Sequence, residues 1–142
     1  MALAFASVNT WELAYNRPMS LLAELGLVDQ PGVMLIAPPD AVLADAGRSS
    51  PRPSFASSLR TAEPSRHICW WPEREMLTPE TLSRLHWMVR TGAGEAWLIT
   101  DPQDDVPLTA EELRGSLDGT KLSPGEERVL GDGSTAVRCL PG

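Results

Sequence analysis

Few residues of this chain have the types that chemistry needs, and fewer are spaced to work together. The two histidines, His67 and His86, lack the neighbouring Asp, Ser or Cys pattern of a base that activates a nucleophile, so both read as structural. Two cysteines, Cys69 and Cys139, are too few for a disulfide framework or a metal site, and both fall in apolar strand-like runs. They read as buried free thiols. Asp101, Asp104 and Asp105 lack the regular alternation of a calcium loop. The stretch that invites most scrutiny is HICWWP, residues 67–72, where two tryptophans close an apolar run.

Open α/β sheets bind ligands at the carboxyl ends of their strands. Trp71 is expected at such an end, and the ends of the neighbouring strands would bring Pro38, Asp40, Thr100 and Asp101 to the same place. These five residues form the candidate cleft or partner surface. A flat indole there suits a stacked base or a partner side chain. The competing reading is packing: in a sheet covered on both faces, Trp70 and Trp71 point to opposite sides and each covers about 150–250 Å² of helix surface.

The elements that position these residues follow from pattern. Met19, Leu22 and Leu25 recur at helical spacing after Pro18, with Gly26 as a stop. Val33 to Ala37 is a continuous apolar run, as expected of a strand buried on both faces. Pro38 and Pro39 end it, Asp40 opens a helix, and Gly47 closes that helix. Residues 48–65, rich in Ser, Pro and Arg, read as a long excursion with a short helical piece at Phe55–Leu59. HICWW is the next strand, and Thr78-Pro79 starts a helix with Leu82, Leu85, Met88 and Val89 inward and Arg84 and Arg90 outward. EAWLIT, residues 95–100, is a third core strand. Thr109 and Glu112 fit a reciprocal cap flanked by Leu108 and Leu113, and residues 125–142 read as a β-hairpin turning at Gly131-Asp132-Gly133. Residues 1–17 are an arm of ambiguous pattern, with Trp11, Leu13 and Tyr15 alternating, and residues 18–142 are one domain. The alternation defines an α/β fold: a small three-layer Rossmann-like sheet, mainly parallel, with a C-terminal antiparallel hairpin.

Composition narrows the function classes. A net charge of −7 argues against nucleic acid as a partner. No apolar run approaches the roughly 20 residues that span a bilayer, and the first residues carry no basic group before their apolar part, so the expected location is cytoplasmic, with no membrane partner. Charge is uneven: residues 48–66 hold Arg48, Arg52, Arg60 and Arg66 against Glu63 alone. Lysine occurs once, at Lys121, against eleven arginines, which points to a GC-rich coding bias.

The order of elements resembles the back half of a class I methyltransferase dependent on S-adenosylmethionine: its first, fourth and fifth strands and closing hairpin, with strands two and three shrunk into the Ser/Pro/Arg loop. More closely, LLAELGLVDQPGVMLIAPP (residues 21–39), HICWWPE, TPETLSRLHWMVRTGAG and EAWLIT resemble a small bacterial family of unknown function that looks like a truncated methyltransferase. Residues 134–138 loosely match that family's last strand. The resemblance implies a glycine-rich turn after the first strand, an acidic residue after the second and an Asn/Asp-Pro-Pro-aromatic motif after the fourth. This chain has Ala37-Pro38-Pro39-Asp40, no candidate acid, and Trp70-Trp71-Pro72-Glu73. The reading is therefore a non-catalytic regulatory or protein-interaction domain with a degenerate methyltransferase-like cleft: no catalytic residue, no cofactor, no metal, another protein as partner, and a second copy of the chain as a further partner. The alternatives are a small-ligand or nucleotide-binding module, or an enzyme with an unrecognised site.

Overall fold

The computed structural model describes residues 20–28, 30–47 and 51–141. The expectations for Trp11, Leu13, Tyr15, Pro18 and Met19 lie outside them. Ser20 caps the first helix, α1 (Leu21–Glu24), by accepting from the Ala23 amide, and Gly26 leaves it at φ 74°. Strand β1 (Val33–Ile36) is buried throughout and leads into helix α2 (Asp40–Ala46). Strand β2 (Ser54–Ala56) and a 3₁₀ turn (Leu59–Thr61) follow. Then come strand β3 (His67–Trp70), helix α3 (Pro79–Thr91) and strand β4 (Glu95–Ile99). Helix α4 (Ala110–Ser116) and the hairpin β5 (Leu122–Val129) and β6 (Thr135–Pro141) complete the fold.

The six strands form one sheet in the order β2-β1-β3-β4-β6-β5. The first four run parallel, and β6 joins β4 antiparallel with Ala96 opposite Cys139. One face carries Met34, Ile36, Ile68, Trp70, Leu98, Val137 and Cys139 against α3 and α4. The other carries Leu35, Cys69, Trp71, Trp97 and Ala136 against α1 and α2. This is the three-layer Rossmann-like arrangement that the alternation of elements implies. Each fully buried Leu or Ile of these layers contributes about 1.5–3 kcal/mol relative to exposure. Among the described residues no helix is long and apolar enough to cross a membrane.

Three local expectations need correction. The loop at 48–66 contains a strand: residues 54–56 lie parallel to β1, with Leu35 opposite Phe55, and the Ala37 amide donates to Ala56 O at 2.9 Å. Phe55 therefore stands on an edge strand rather than in a helical piece, and Pro53 just before it is tolerated because an edge leaves one row of hydrogen bonds unmade. The helical turn begins only at Leu59, which with Ala62 packs against the α3 layer. The third concerns Arg84. It does not project freely from α3: its guanidinium donates to the carbonyls of Leu59 (3.0 Å), Arg60 (3.1 Å) and Ala62 (3.3 Å). A loop rich in proline is fastened to a helix by one side chain.

Candidate functional site

The sheet brings the five cleft residues to one end. Ile36 is in register with Trp70, and Trp70 with Leu98, so the chain leaves β1, β3 and β4 side by side. Pro38 is half-buried and Asp40 exposed in the β1–α2 turn. Trp71 follows β3, its amide donating to Ile36 O at 3.2 Å, and its indole is only 6% exposed within the α1–α2 layer. Thr100 is buried, and its hydroxyl oxygen accepts from the Thr135 amide at 2.8 Å. A carboxylate oxygen of Asp101 accepts from the Gln103 amide at 2.9 Å. Register thus places the five residues at one end of the sheet. Most of the polar capacity is already spent on holding the β4 loop and the hairpin in place.

The turn after β1 decides what this end can hold. Ala37 adopts φ 55°, a left-handed conformation that costs a residue with a β-carbon about 1–2 kcal/mol. Cofactor-binding turns at this position of α/β folds use glycine for such geometry. The backbone thus retains the bend while the residue is alanine. Of the four residues 37–40, two are prolines without an N–H, and the Ala37 amide is taken by Ala56 O, so Asp40 alone has an amide left to offer. Asp40 also places a carboxylate in the first turn of α2, where its negative charge meets the helix dipole.

The other candidates resolve into packing. Cys69 is fully buried and burial, followed by the charge of Glu95, pushes its thiol far above the ordinary range. Burial pushes Cys139 up to about 12, with Arg114 opposing. Both are free, they lie on opposite faces of the sheet, and β4 runs between their strands. Two strand spacings, roughly 10 Å, exceed the about 7 Å that a disulfide spans. His67 donates from Nδ1 to Glu95 Oε2 at 3.0 Å, and the Arg138 guanidinium donates to the other carboxylate oxygen of Glu95. This cluster sits where β3 and β4 begin, away from the cleft end. Sequence reading missed it, because the three residues meet only through strand register. Among the described residues no three of His, Cys, Asp and Glu gather as a metal site.

No protein-family model matches the chain, and no curated protein matches it. Solved structures do. Over 85% of this chain and 74% of the other, the fold is similar to magnesium protoporphyrin IX methyltransferase from Synechocystis PCC 6803 with S-adenosylmethionine bound, with a TM-score of 0.51 and 11% identity. The same enzyme with S-adenosylhomocysteine bound gives a TM-score of 0.48 over 85% and 78% of the chains. The fold is methyltransferase-like.

That class implies an adenosyl cofactor at the strand ends, and the residues present do not fit one. The turn that would approach its amino-acid end offers a single amide beside two proline rings and a carboxylate. Strand β2, which was expected to be absent, is present, yet Ser57 and Ser58 follow it where the class places a carboxylate for the ribose. After β3 stand Trp71-Pro72-Glu73, with the indole buried in the core.

Proposed function

We propose that this chain is a non-catalytic, methyltransferase-like domain that works by contacting another protein, as an interaction or regulatory module. The turn at residues 37–40 carries the reading: it keeps the bend of a cofactor turn and removes the donors that a cofactor would need. Pro38, Asp40 and Asp101 are accessible there and the Trp71 indole is buried, so the end of the sheet presents an acidic surface. The motif LLAELGLVDQPGVMLIAPP supports placing the domain with the small bacterial family named above, and the net charge of −7 supports a partner other than nucleic acid.

Isothermal titration with S-adenosylmethionine and S-adenosylhomocysteine tests this directly, beside capture from a lysate with Asp40→Arg as the control bait. The expected result is no heat of binding for either compound, and a captured protein that the variant loses. Saturable binding of either compound sinks the proposal.

A second reading has one observation in its favour. Ala37 at φ 55° preserves the backbone geometry of a ligand-binding turn, which supports a small-ligand or nucleotide-binding module that performs no reaction. A thermal-shift panel of nucleotides and adenosyl compounds separates the two, because only the ligand module is stabilised by a ligand, by an amount that rises with the logarithm of its concentration above the dissociation constant.

A further inference from the structure

We infer that the chain carries a binding site for a single oxyanion, a phosphate or carboxylate group, in the groove between α3 and the α4–β5 turn. The site lies in the layer of α3 and α4, apart from the β1–α2 turn and the buried Trp71, and stands or falls independently of the proposed partner surface. Its walls are Pro79, Ser83 and His86 of α3 and Gly119, Thr120 and Lys121 of the turn, enclosing about 200 Å³. The spacing of the α3 residues, i, i+4 and i+7, puts all three on one stripe of the helix. Gly119 has φ 78°, a left-handed geometry that lets the chain swing Thr120 and Lys121 back toward α3.

Charge and donor geometry define the ligand. Lys121 is the chain's single lysine, and a lysine ammonium is a compact charge with three rotatable donors, suited to an oxyanion without demanding planar recognition. No carboxylate lines the groove. Among the described residues none pairs with Lys121, with the half-buried His86 or with the Ser83 hydroxyl, whereas Arg74, Arg114 and Arg128 each engage a glutamate. Thr120 is committed elsewhere: its hydroxyl donates to Leu117 O at 2.6 Å and accepts from the Leu122 amide at 3.2 Å. It fixes the turn and leaves binding to its neighbours. The groove is below the roughly 300–1,000 Å³ of drug-sized sites, so it takes one functional group and not a nucleotide or an adenosyl compound.

Nuclear magnetic resonance of the ¹⁵N-labelled chain, titrated with inorganic phosphate, acetate and a short peptide containing phosphoserine, tests the site. The expected result is saturable shifts at the amides of Gly119, Thr120 and Lys121 and at the His86 ring, half-complete on the order of a millimolar with phosphate. Lys121→Gln weakens this about tenfold and Lys121→Arg retains it, both at an exposed position where folding is undisturbed. A peptide that binds more tightly than free phosphate identifies a protein-borne group, and equal affinity identifies a small phosphorylated compound; both support the site. Shifts that never saturate, or saturable binding that Lys121→Gln leaves unchanged, overturn it.

Discussion

Gly94 passes so close to Arg66 that a β-carbon at position 94 would stand 1.8 Å from the Arg66 carbonyl oxygen. That oxygen also accepts from the Glu95 amide at 3.0 Å, and the Gly94 amide donates to Val89 O at 3.0 Å. The close approach therefore sets two things together, the end of α3 and the entry of β4 beside β3. Backbone cannot yield as the tip of a side chain does. Gly94→Ala should destabilise the fold by at least about 2 kcal/mol, from overpacking against main chain. Urea unfolding followed by tryptophan fluorescence measures it; an unchanged midpoint would show that the loop moves aside freely.

Arg84 offers a contrasting test, because its role is attractive and local. It holds three carbonyls of residues 59–62 and lies over the Trp87 ring, 5.5 Å from its centroid. Arg84→Lys keeps the charge but has neither the fork that reaches three oxygens nor the plane that stacks. A loss of about 1–3 kcal/mol is expected. Hydrogen exchange should quicken at the amides of Thr61 and Ala62 while the β3 and β4 amides stay protected. Uniform acceleration would instead mean that the loop is held by other contacts.

These two relationships show what could be read from the sequence and what could not. Continuous apolar runs made β1, β3 and β4 legible, since a strand buried on both faces has no alternation to misplace. The cap of α4 was equally plain because both halves are local: the Glu112 amide donates to Thr109 Oγ1 and the Thr109 amide to Glu112 Oε1, each at 3.1 Å. Strand β2 was missed because Ser54, Phe55 and Ala56 have no apolar run and are held by pairing to a distant β1. The same limit hid Arg84, whose partners lie more than twenty residues away, and the His67–Glu95–Arg138 cluster. At the candidate site, both the strand end of Trp71 and the packing reading of its indole were open to the sequence, and the 6% exposure of Trp71 favours packing. The left-handed Ala37 gave no signal at all, since only glycine or asparagine advertises that geometry.

Trp71 separates packing from recognition by magnitude. It is 6% exposed and lies among Leu35, Val42, Cys69 and Ile99 of the α1–α2 layer. Removing an indole from such a site costs about 3–5 kcal/mol, the price of a large cavity that neighbours fill only in part. Trp71→Phe should recover most of the loss. Denaturation of the two variants checks this: a Trp71→Ala protein of near-wild-type stability would mean that the indole is a surface group after all, and would revive it as a wall for ligand stacking.

Glu112 gives the fold an acid-sensitive element. Its carboxylate receives Nε of Arg74 at 2.9 Å and a second guanidinium nitrogen at 3.1 Å, while also capping α4 through Thr109. The Arg74 hydrogen bonds, and then the Thr109 amide, hold its carboxyl below the ordinary value of 4.5. A depressed carboxyl stabilises the folded state fully above the unfolded value, and that contribution fades as pH falls from about 4.5 through the lower folded value. The group is exposed, so solvent screening makes the effect modest. Unfolding midpoints of the wild type should therefore drop more steeply on acidification below pH 4.5 than those of Glu112→Gln, while above that pH the variant is the weaker of the two. Parallel curves for the two proteins would mean that Arg74 and the cap do not favour the charged form of Glu112 in solution.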